Sequence, residues 1–426
     1  MSRPGGVQGD RLKNFAVLRR GPLARALEAL NGGGEETRVV GGAVRDLALG
    51  VDPGDFDLAT TIRPEEVSRR AAAAGFKVVP TGIAHGTVSL VMGGQMIETT
   101  TLREDVETDG RHAKVSFGRD FAADARRRDF TINALSLTAD GRVYDPLGGL
   151  DDLAAGRVRF IGDADARIRE DYLRILRFFR FSARYGGGAL DRDGLDATVR
   201  NRKGLARLSR ERVRAEALKL LVAPHAGQAV RAMSEWGILG ELLGFVDPGR
   251  LERLAAVETG AGSEPDGLLR LAALAVVVEE DAVRLSERLR LSNAESQRLE
   301  RAARALVRLH AAAAAPPAGT LRRLLFTFGR RAASDALLLA QAGSLAGPAD
   351  SDFARALRFL ADTPEPKSPV SGRSLIARGV AAGPRVGDIL RTFDRLWEEA
   401  GFPSDREAVE RLRQAAIEAT ALDCGR

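Results

Sequence analysis

Asp55 and Asp57 lie in the run Asp55-Phe56-Asp57-Leu58-Ala59-Thr60. Polar and apolar residues alternate there with the period of a half-buried strand. Two positions apart on a strand, the carboxylates share one face while Phe56 and Leu58 turn toward a core. Like charges held so close repel, and the pair makes physical sense around a divalent cation. Just upstream, Val39 and Val40 end in Gly41-Gly42, and Ala43 to Gly50, with Arg45 among them, has the composition of a short helix. Strand, glycine turn and helix N-terminus form a phosphate cradle: glycine lets the backbone approach a ligand, and free N–H groups and the helix dipole favour an anion. A phosphate cradle facing a metal-binding Asp pair is the constellation of nucleotidyl transfer. Glu98, on the strand-like run Gln95 to Thr100, offers the third carboxylate that a two-metal site uses.

Further along, Arg126-Arg127-Arg128-Asp129 leads into Phe130-Thr131-Ile132-Asn133. Beside a metal site, successive arginines suit a triphosphate tail. Asp171 and Arg174 stand i, i+3 in Arg167 to Arg184, read as one helix apolar around most of its circumference. The bland alternatives are a solvated turn for the Asp pair, an exposed strand residue for Glu98 and an intrahelical ion pair for Asp171 with Arg174. Arg200 to Lys219 concentrates basic residues, with Ser209 as the expected N-cap of a helix carrying Arg212 and Glu216. It reads as a solvated basic face or a cover over phosphates.

The elements that must position these residues are marked by the same punctuation. Pro22 to Leu30 and Pro64 to Ala74 read as helices, while Lys77 to Val79, Gly86 to Met92 and Gln95 to Thr100 read as strands, the last two joined by a Gly93-Gly94 turn. Arg103 to Arg119 reads as a charged loop or hairpin. A turn cluster at Tyr144 to Gly149 closes the strand-bearing part, and the remainder of the chain reads as helix after helix with no constant repeat period. At 426 residues with 44% hydrophobic content the chain holds more than one packed unit. Its net charge of +6 nudges toward an anionic partner. One cysteine and four scattered histidines exclude a disulfide framework and a Cys/His zinc site. No apolar run of about 18 residues and no signal-peptide core occurs, so no membrane partner and a cytoplasmic location are expected.

Six motifs in order resemble one family, the class II tRNA nucleotidyltransferases (CCA-adding enzymes) and bacterial poly(A) polymerases of the DNA polymerase beta superfamily. Gly41-Gly42-Ala43-Val44-Arg45-Asp46 is similar to the family's GGxVRD, Asp55-Phe56-Asp57 to its catalytic DxD, and Arg127-Arg128-Asp129-Phe130-Thr131 to the triphosphate-binding RRDFT. Asp145-Pro146 with Gly148-Gly149 is similar to the start of the neck, Glu170 to Arg174 to the base-reading EDxxR, and Glu211 to Glu216 to the bracing ERxxxE. The resemblance implies an α+β protein: a nucleotidyltransferase head with a mixed β-sheet over residues 1–143, a helical neck over 144–223 and a helical body and tail over 224–426. It implies template-independent addition of CCA to the 3′ end of tRNA from CTP and ATP, with Mg²⁺ held by Asp55 and Asp57 and with Glu98 as the third catalytic carboxylate. Nucleotide binding falls to Gly41, Gly42, Arg45, Arg127, Arg128, Asp129, Asn133, Asp171, Arg174, Arg177 and Arg212. A carboxylate that accepts from an exocyclic amino group and an arginine that donates to a bare ring nitrogen take both cytosine and adenine. Uracil and guanine present the reverse pattern and leave groups unpaired. In the family, a flexible loop ahead of RRDFT is associated with the change from C to A, and the candidate here is Arg103 to Arg119, with Val106 to His112 the stretch whose shortening would lose the final A. Alternatives are a poly(A) polymerase and a catalytically silent tRNA-binding scaffold.

Overall fold

The computed structural model describes residues 16–83, 86–105, 115–309 and 314–423. Of the candidate switching loop, Arg103 to Arg119, residues 106–114 lie outside them. The chain divides into two compact units, residues 1–244 and 245–426.

The first unit is built on a mixed seven-stranded sheet. Its strands are β1 (Thr37–Val40), β2 (Phe56–Thr60), β3 (Lys77–Gly82), β4 (Thr87–Met92), β5 (Gln95–Thr101), β8 (Ser136–Leu137) and β9 (Val143–Tyr144), in the order β3-β4-β5-β2-β1-β8-β9. A separate ribbon pairs β6 (Arg103–Asp105) with β7 (Val115–Phe117). Within the sheet β2 and β5 run parallel and the other pairs antiparallel. The β4-β5 hairpin turns on Gly93 and Gly94 at φ of 58° and 79°, the two positive values that a tight twisted hairpin demands. On one face Val39, Leu58, Leu90 and Ile97 are buried with Leu23, Leu27 and Leu30 of the Gly21–Leu30 helix and Val67 and Ala71 of the Pro64–Ala73 helix. The opposite face at the β2-β5 seam carries Asp57 and Glu98. The strand period has thus segregated the acids from the core as the alternation implied.

Helices complete this unit. Phe130 follows the triple arginine, and its ring lies 4.8 Å from Phe160 and 5.4 Å from Phe181. Phe160 in turn stacks on Phe178 at 5.6 Å. Burying such rings is worth about 2 to 3 kcal/mol each, so the RRDFT segment is fastened to the helix that bears Arg174 and Arg177. That helix corrects an expectation. Arg167 to Arg184 is not one helix but two, Ala164–Glu170 and Leu173–Tyr185, with Asp171 between them in extended backbone at φ −153° and ψ 105°. Asp171 Oδ1 accepts the Leu173 N–H at 3.1 Å, the local capping by which an Asp competes with helix continuation. Tyr172 then packs against Gly204, where an added Cβ would fall 1.9 Å from the ring. The Ala226–Glu235 helix packs on Leu173–Tyr185 within the first unit.

Unit two, taken by itself, contains helices and no strand among the described residues. Its longest, Ala318–Gly343, is kinked where Gly329 takes φ +74°. A small terminal core gathers Val370, Leu375, Ile389, Phe393, Trp397, Val409 and Ala416. No helix of the described chain is long and apolar enough to cross a membrane.

Candidate active site

Asp57 on β2 and Glu98 on β5 are register partners across the parallel seam, about 4.8 Å apart in backbone spacing. Both face a cleft of about 730 Å³, within the range of small-molecule sites. Asp55 precedes β2, is exposed, and does not line that cleft. Its charge still reaches Asp57, whose carboxyl is pushed above its ordinary value by burial and by Glu98, with Arg128 opposing and Asp55 adding to the rise. The side chains of Asp55, Asp57 and Glu98 make no hydrogen bond or ion pair to a described residue. A carboxylate pair so arranged is stabilised by a cation, and the site therefore fits one. Among the described residues no three His, Cys, Asp or Glu side chains gather closely enough to cage a metal. Two carboxylates with the rest of the shell left to phosphate and water is the pattern of a hard, hydrated divalent ion.

Gly41 ends β1 at φ +69°, in the left-handed region that only glycine enters freely. A Cβ there would stand 2.8 Å from Arg128 Nη1, so the glycine also makes room for that guanidinium. Arg45, one turn into the Gly42–Ala48 helix, donates to Asn133 Oδ1 at 2.5 Å and lies over the Tyr185 ring at 4.1 Å. Asn133 donates to Asp129 Oδ1 at 2.9 Å, and Arg177 Nε donates to Asp129 Oδ2 at 2.7 Å. Arg127 and Arg128 both donate to Asp124, a buried carboxylate on the Phe121–Arg126 helix. Sequence reading passed over Asp124. Its i, i+3 and i, i+4 spacing to the two arginines was the available signal. Arg103, Arg180 and Lys219 also line the cleft and were not singled out.

Asp171 and Arg174 do not pair with each other, so the bland reading of an intrahelical ion pair fails. Arg212 Nη2 donates to Asp171 Oδ2 at 2.6 Å. Arg174 commits only Nη1, to the Arg167 carbonyl at 2.7 Å and to Glu170 Oε2 at 2.6 Å. Glu216 takes Arg180 at 2.6 Å and Arg177 at 3.8 Å. Ser209 caps the Arg210–Leu221 helix as expected, which aims Arg212 at Asp171. The cleft thus brings together Gly41, Gly42, Arg45, Asp57, Glu98, Arg127, Arg128, Asp129 and Asn133 from the sheet side and Asp171, Arg174, Arg177 and Arg212 from the helices. Of the residues singled out from sequence only Asp55 stands outside its lining.

Asp129 has a testable electrostatic signature. Burial alone would raise its pKa, but Arg177, Asn133 and the Phe130 N–H outweigh it and hold the carboxyl below its ordinary value. A depressed folded pKa confers stability that is full above the unfolded value, about 3.9, and fades as pH falls through the folded one. Asp129→Asn therefore lowers the melting temperature by about 4 °C at pH 7, and the gap to the parent protein closes as the pH is taken below about 4. Melting curves across pH 3 to 7 for both proteins check this. A gap that widens in acid would contradict it.

A mixed sheet bearing paired carboxylates beside a glycine turn, under a wall of arginines, defines a nucleotidyltransferase head. Comparison with known proteins agrees. The family described as "Poly A polymerase head domain" matches residues 37–159, and the family described as "Probable RNA and SrmB- binding site of polymerase A" matches residues 189–249. The mitochondrial CCA tRNA nucleotidyltransferase 1 of Danio rerio is 35% identical over 404 residues, covering 93% of this chain and 91% of its own. The CCA-adding enzyme of Geobacillus thermodenitrificans is 40% identical over 240 residues, 55% of this chain and 58% of its own. The crystal structure of the Bacillus stearothermophilus CCA-adding enzyme in complex with CTP superposes with a TM-score of 0.70 at 29% identity, covering 92% of this chain and 95% of that one. The chain belongs to the CCA tRNA nucleotidyltransferase family, and it is an enzyme of nucleotidyl transfer.

Proposed function

We propose that the protein adds C, C and A to the 3′ end of tRNA, taking CTP and ATP without a nucleic-acid template and releasing pyrophosphate. The observation that carries this reading is the sharing of one cleft by the carboxylates at the β2-β5 seam and by the Asp171 and Arg174 pair at the helix break. In the reaction a bond forms between the RNA 3′-oxygen and the α-phosphorus while the α–β phosphoanhydride bond breaks. Asp55 and Asp57 would hold a divalent ion, Mg²⁺, which when bound supplies charge neutralisation at the phosphates and a more acidic 3′-hydroxyl. Arg127 and Arg128 hold the triphosphate, and the Gly41-Gly42 turn gives it close backbone approach. Asp171 accepts from the amino group of cytosine or adenine. Arg174, whose Nε and Nη2 hydrogen-bond no described residue, donates to the bare ring nitrogen. Asp129, Asn133, Arg45, Arg177 and Arg212 keep these groups in place.

We assign residues 1–143 as the catalytic head, 144–223 as the base-reading neck and 224–426 as the body and tail that hold tRNA. The last strand of the sheet, β9, ends at Tyr144, one residue past the first boundary. The proposed location is the cytoplasm, while the similar Danio rerio protein is named mitochondrial. Incubating the purified protein with Mg²⁺, CTP, ATP and a tRNA ending at its discriminator base tests the assignment. The expected product is the tRNA extended by C, C and A and no further. A long ladder of A on unstructured RNA without use of CTP would make it a poly(A) polymerase, and no incorporation at all would make it a binding scaffold.

A further inference from the structure

Arg167 and Glu170 lie outside the cleft lining, yet between them they touch both halves of the nucleotide grip. The Arg167 side chain is 12% exposed. Its Nη1 donates to Glu170 Oε1 and Oε2 at 2.8 and 2.6 Å. Its Nη2 donates to the backbone carbonyls of Arg127 and Arg128, the residues whose side chains face the triphosphate. On the other side, the Arg167 carbonyl and the Glu170 carboxylate are the two acceptors that fix Arg174 Nη1. Burial alone would raise the Glu170 pKa, but Arg174 and Arg167 outweigh it and lower it, so the carboxylate is charged in the clamp.

We infer that Arg167, clamped by Glu170, is a positioning residue that sets the spacing between the base-reading Arg174 and the phosphate-holding Arg127 and Arg128. The physical reason is geometric. A bound nucleoside triphosphate has a fixed span from base edge to phosphates, so two groups that grip its ends must keep one separation. The break at Asp171 removes the helical hydrogen bonds that would otherwise fix that separation. Tertiary bonds through Arg167 replace them, joining the Ala164–Glu170 helix to the RRDFT backbone and both to Arg174. Without the clamp each grip still forms, but not both at once on a correct base. The cost therefore falls on affinity for CTP and ATP and on their discrimination from UTP and GTP, while the carboxylates at the β2-β5 seam are untouched.

The inference rests on the proposed CTP and ATP specificity, and the experiment separates the two. Steady-state incorporation of each of the four nucleotides onto tRNA lacking its 3′ end is measured for the parent protein, Arg167→Ala, Arg167→Lys and Glu170→Gln, with active-site titration. For Arg167→Ala the KM for CTP rises about tenfold and discrimination against UTP falls about tenfold, the loss of a charge-assisted hydrogen-bond set, while kcat stays within about threefold. Arg167→Lys keeps the pair with Glu170 but not the fork to two carbonyls, and recovers part of both losses. Glu170→Gln shifts both parameters in the same direction. A role confined to folding would lower the titrated active fraction and the melting temperature and leave the discrimination ratio of the surviving molecules unchanged. That result in Arg167→Lys and Glu170→Gln overturns the inference even if Arg167→Ala does not fold. A parent protein that takes all four nucleotides alike overturns the functional reading instead.

Discussion

Asp57→Ala is expected to abolish addition of both CMP and AMP, a loss of at least about a thousandfold in turnover, because in the proposed function Asp57 is a carboxylate that would hold the divalent ion. Asp57 faces the cleft in register with Glu98, and no described residue hydrogen-bonds or ion-pairs its side chain. The same geometry makes a second, less obvious statement about this variant. Repulsion from Glu98 and Asp55 and burial already disfavour the charged form in the absence of a ligand, so removing the charge relieves strain that the fold was carrying. The melting temperature of metal-free Asp57→Ala is therefore equal to or above that of the parent, the usual trade between activity and stability at a site of like charges. Affinity for tRNA stays within a few-fold. Single-turnover incorporation, a filter-binding titration and a thermal melt check the three statements together, and near-normal turnover would remove Asp57 from the chemistry.

Arg174→Ala raises misincorporation of UMP and GMP relative to CMP and AMP by about ten- to a hundredfold, the equivalent of about 1 to 3 kcal/mol of lost selective hydrogen bonding. Arg174 is not spent on Asp171. It keeps Nε and Nη2 without a partner among the described residues while Nη1 anchors it to Arg167 and Glu170. A guanidinium held at one nitrogen and open at the others is built to read a planar edge. Asp171, held by Arg212 at 2.6 Å and by the Leu173 N–H, is oriented in the same way. The measurement is kcat/KM for each nucleotide with the variant. An unchanged discrimination ratio at high overall activity would leave Arg174 as a structural cap on the Ala164–Glu170 helix.

The strand that carries Asp57 was legible because a period of two is short and local. Asp55, Phe56, Asp57 and Leu58 announce by their alternation which side is wet, and the chain there buries Phe56 and Leu58 and exposes the two acids. The glycine turn at Gly41, the Gly93-Gly94 hairpin and the Ser209 cap were equally local, each resting on a backbone angle or an orphan N–H that only certain residues satisfy. Family motifs extended that legibility to the arginines of the cleft.

Tertiary structure decided where those groups went and what held them. Composition made Arg167 to Arg184 one continuous helix, since helix propensity sums over neighbours. The break at Asp171, capped locally through the Leu173 N–H, is held by a contact 41 residues away in sequence, the Arg212 guanidinium, and by the fit of Tyr172 over Gly204. The sharing of Asp124 by Arg127 and Arg128, the alignment of Glu98 with Asp57 and the reach of Arg167 to two backbone carbonyls likewise depend on where separate elements are packed. Local pattern determined which residues could do nucleotidyl chemistry. Burial of Phe130, Phe160, Phe178 and Phe181 against one another decided that Arg127 and Arg128 face one cleft with Asp171 and Arg174, because hydrophobic packing joins distant segments of the chain and no short stretch of sequence encodes its outcome.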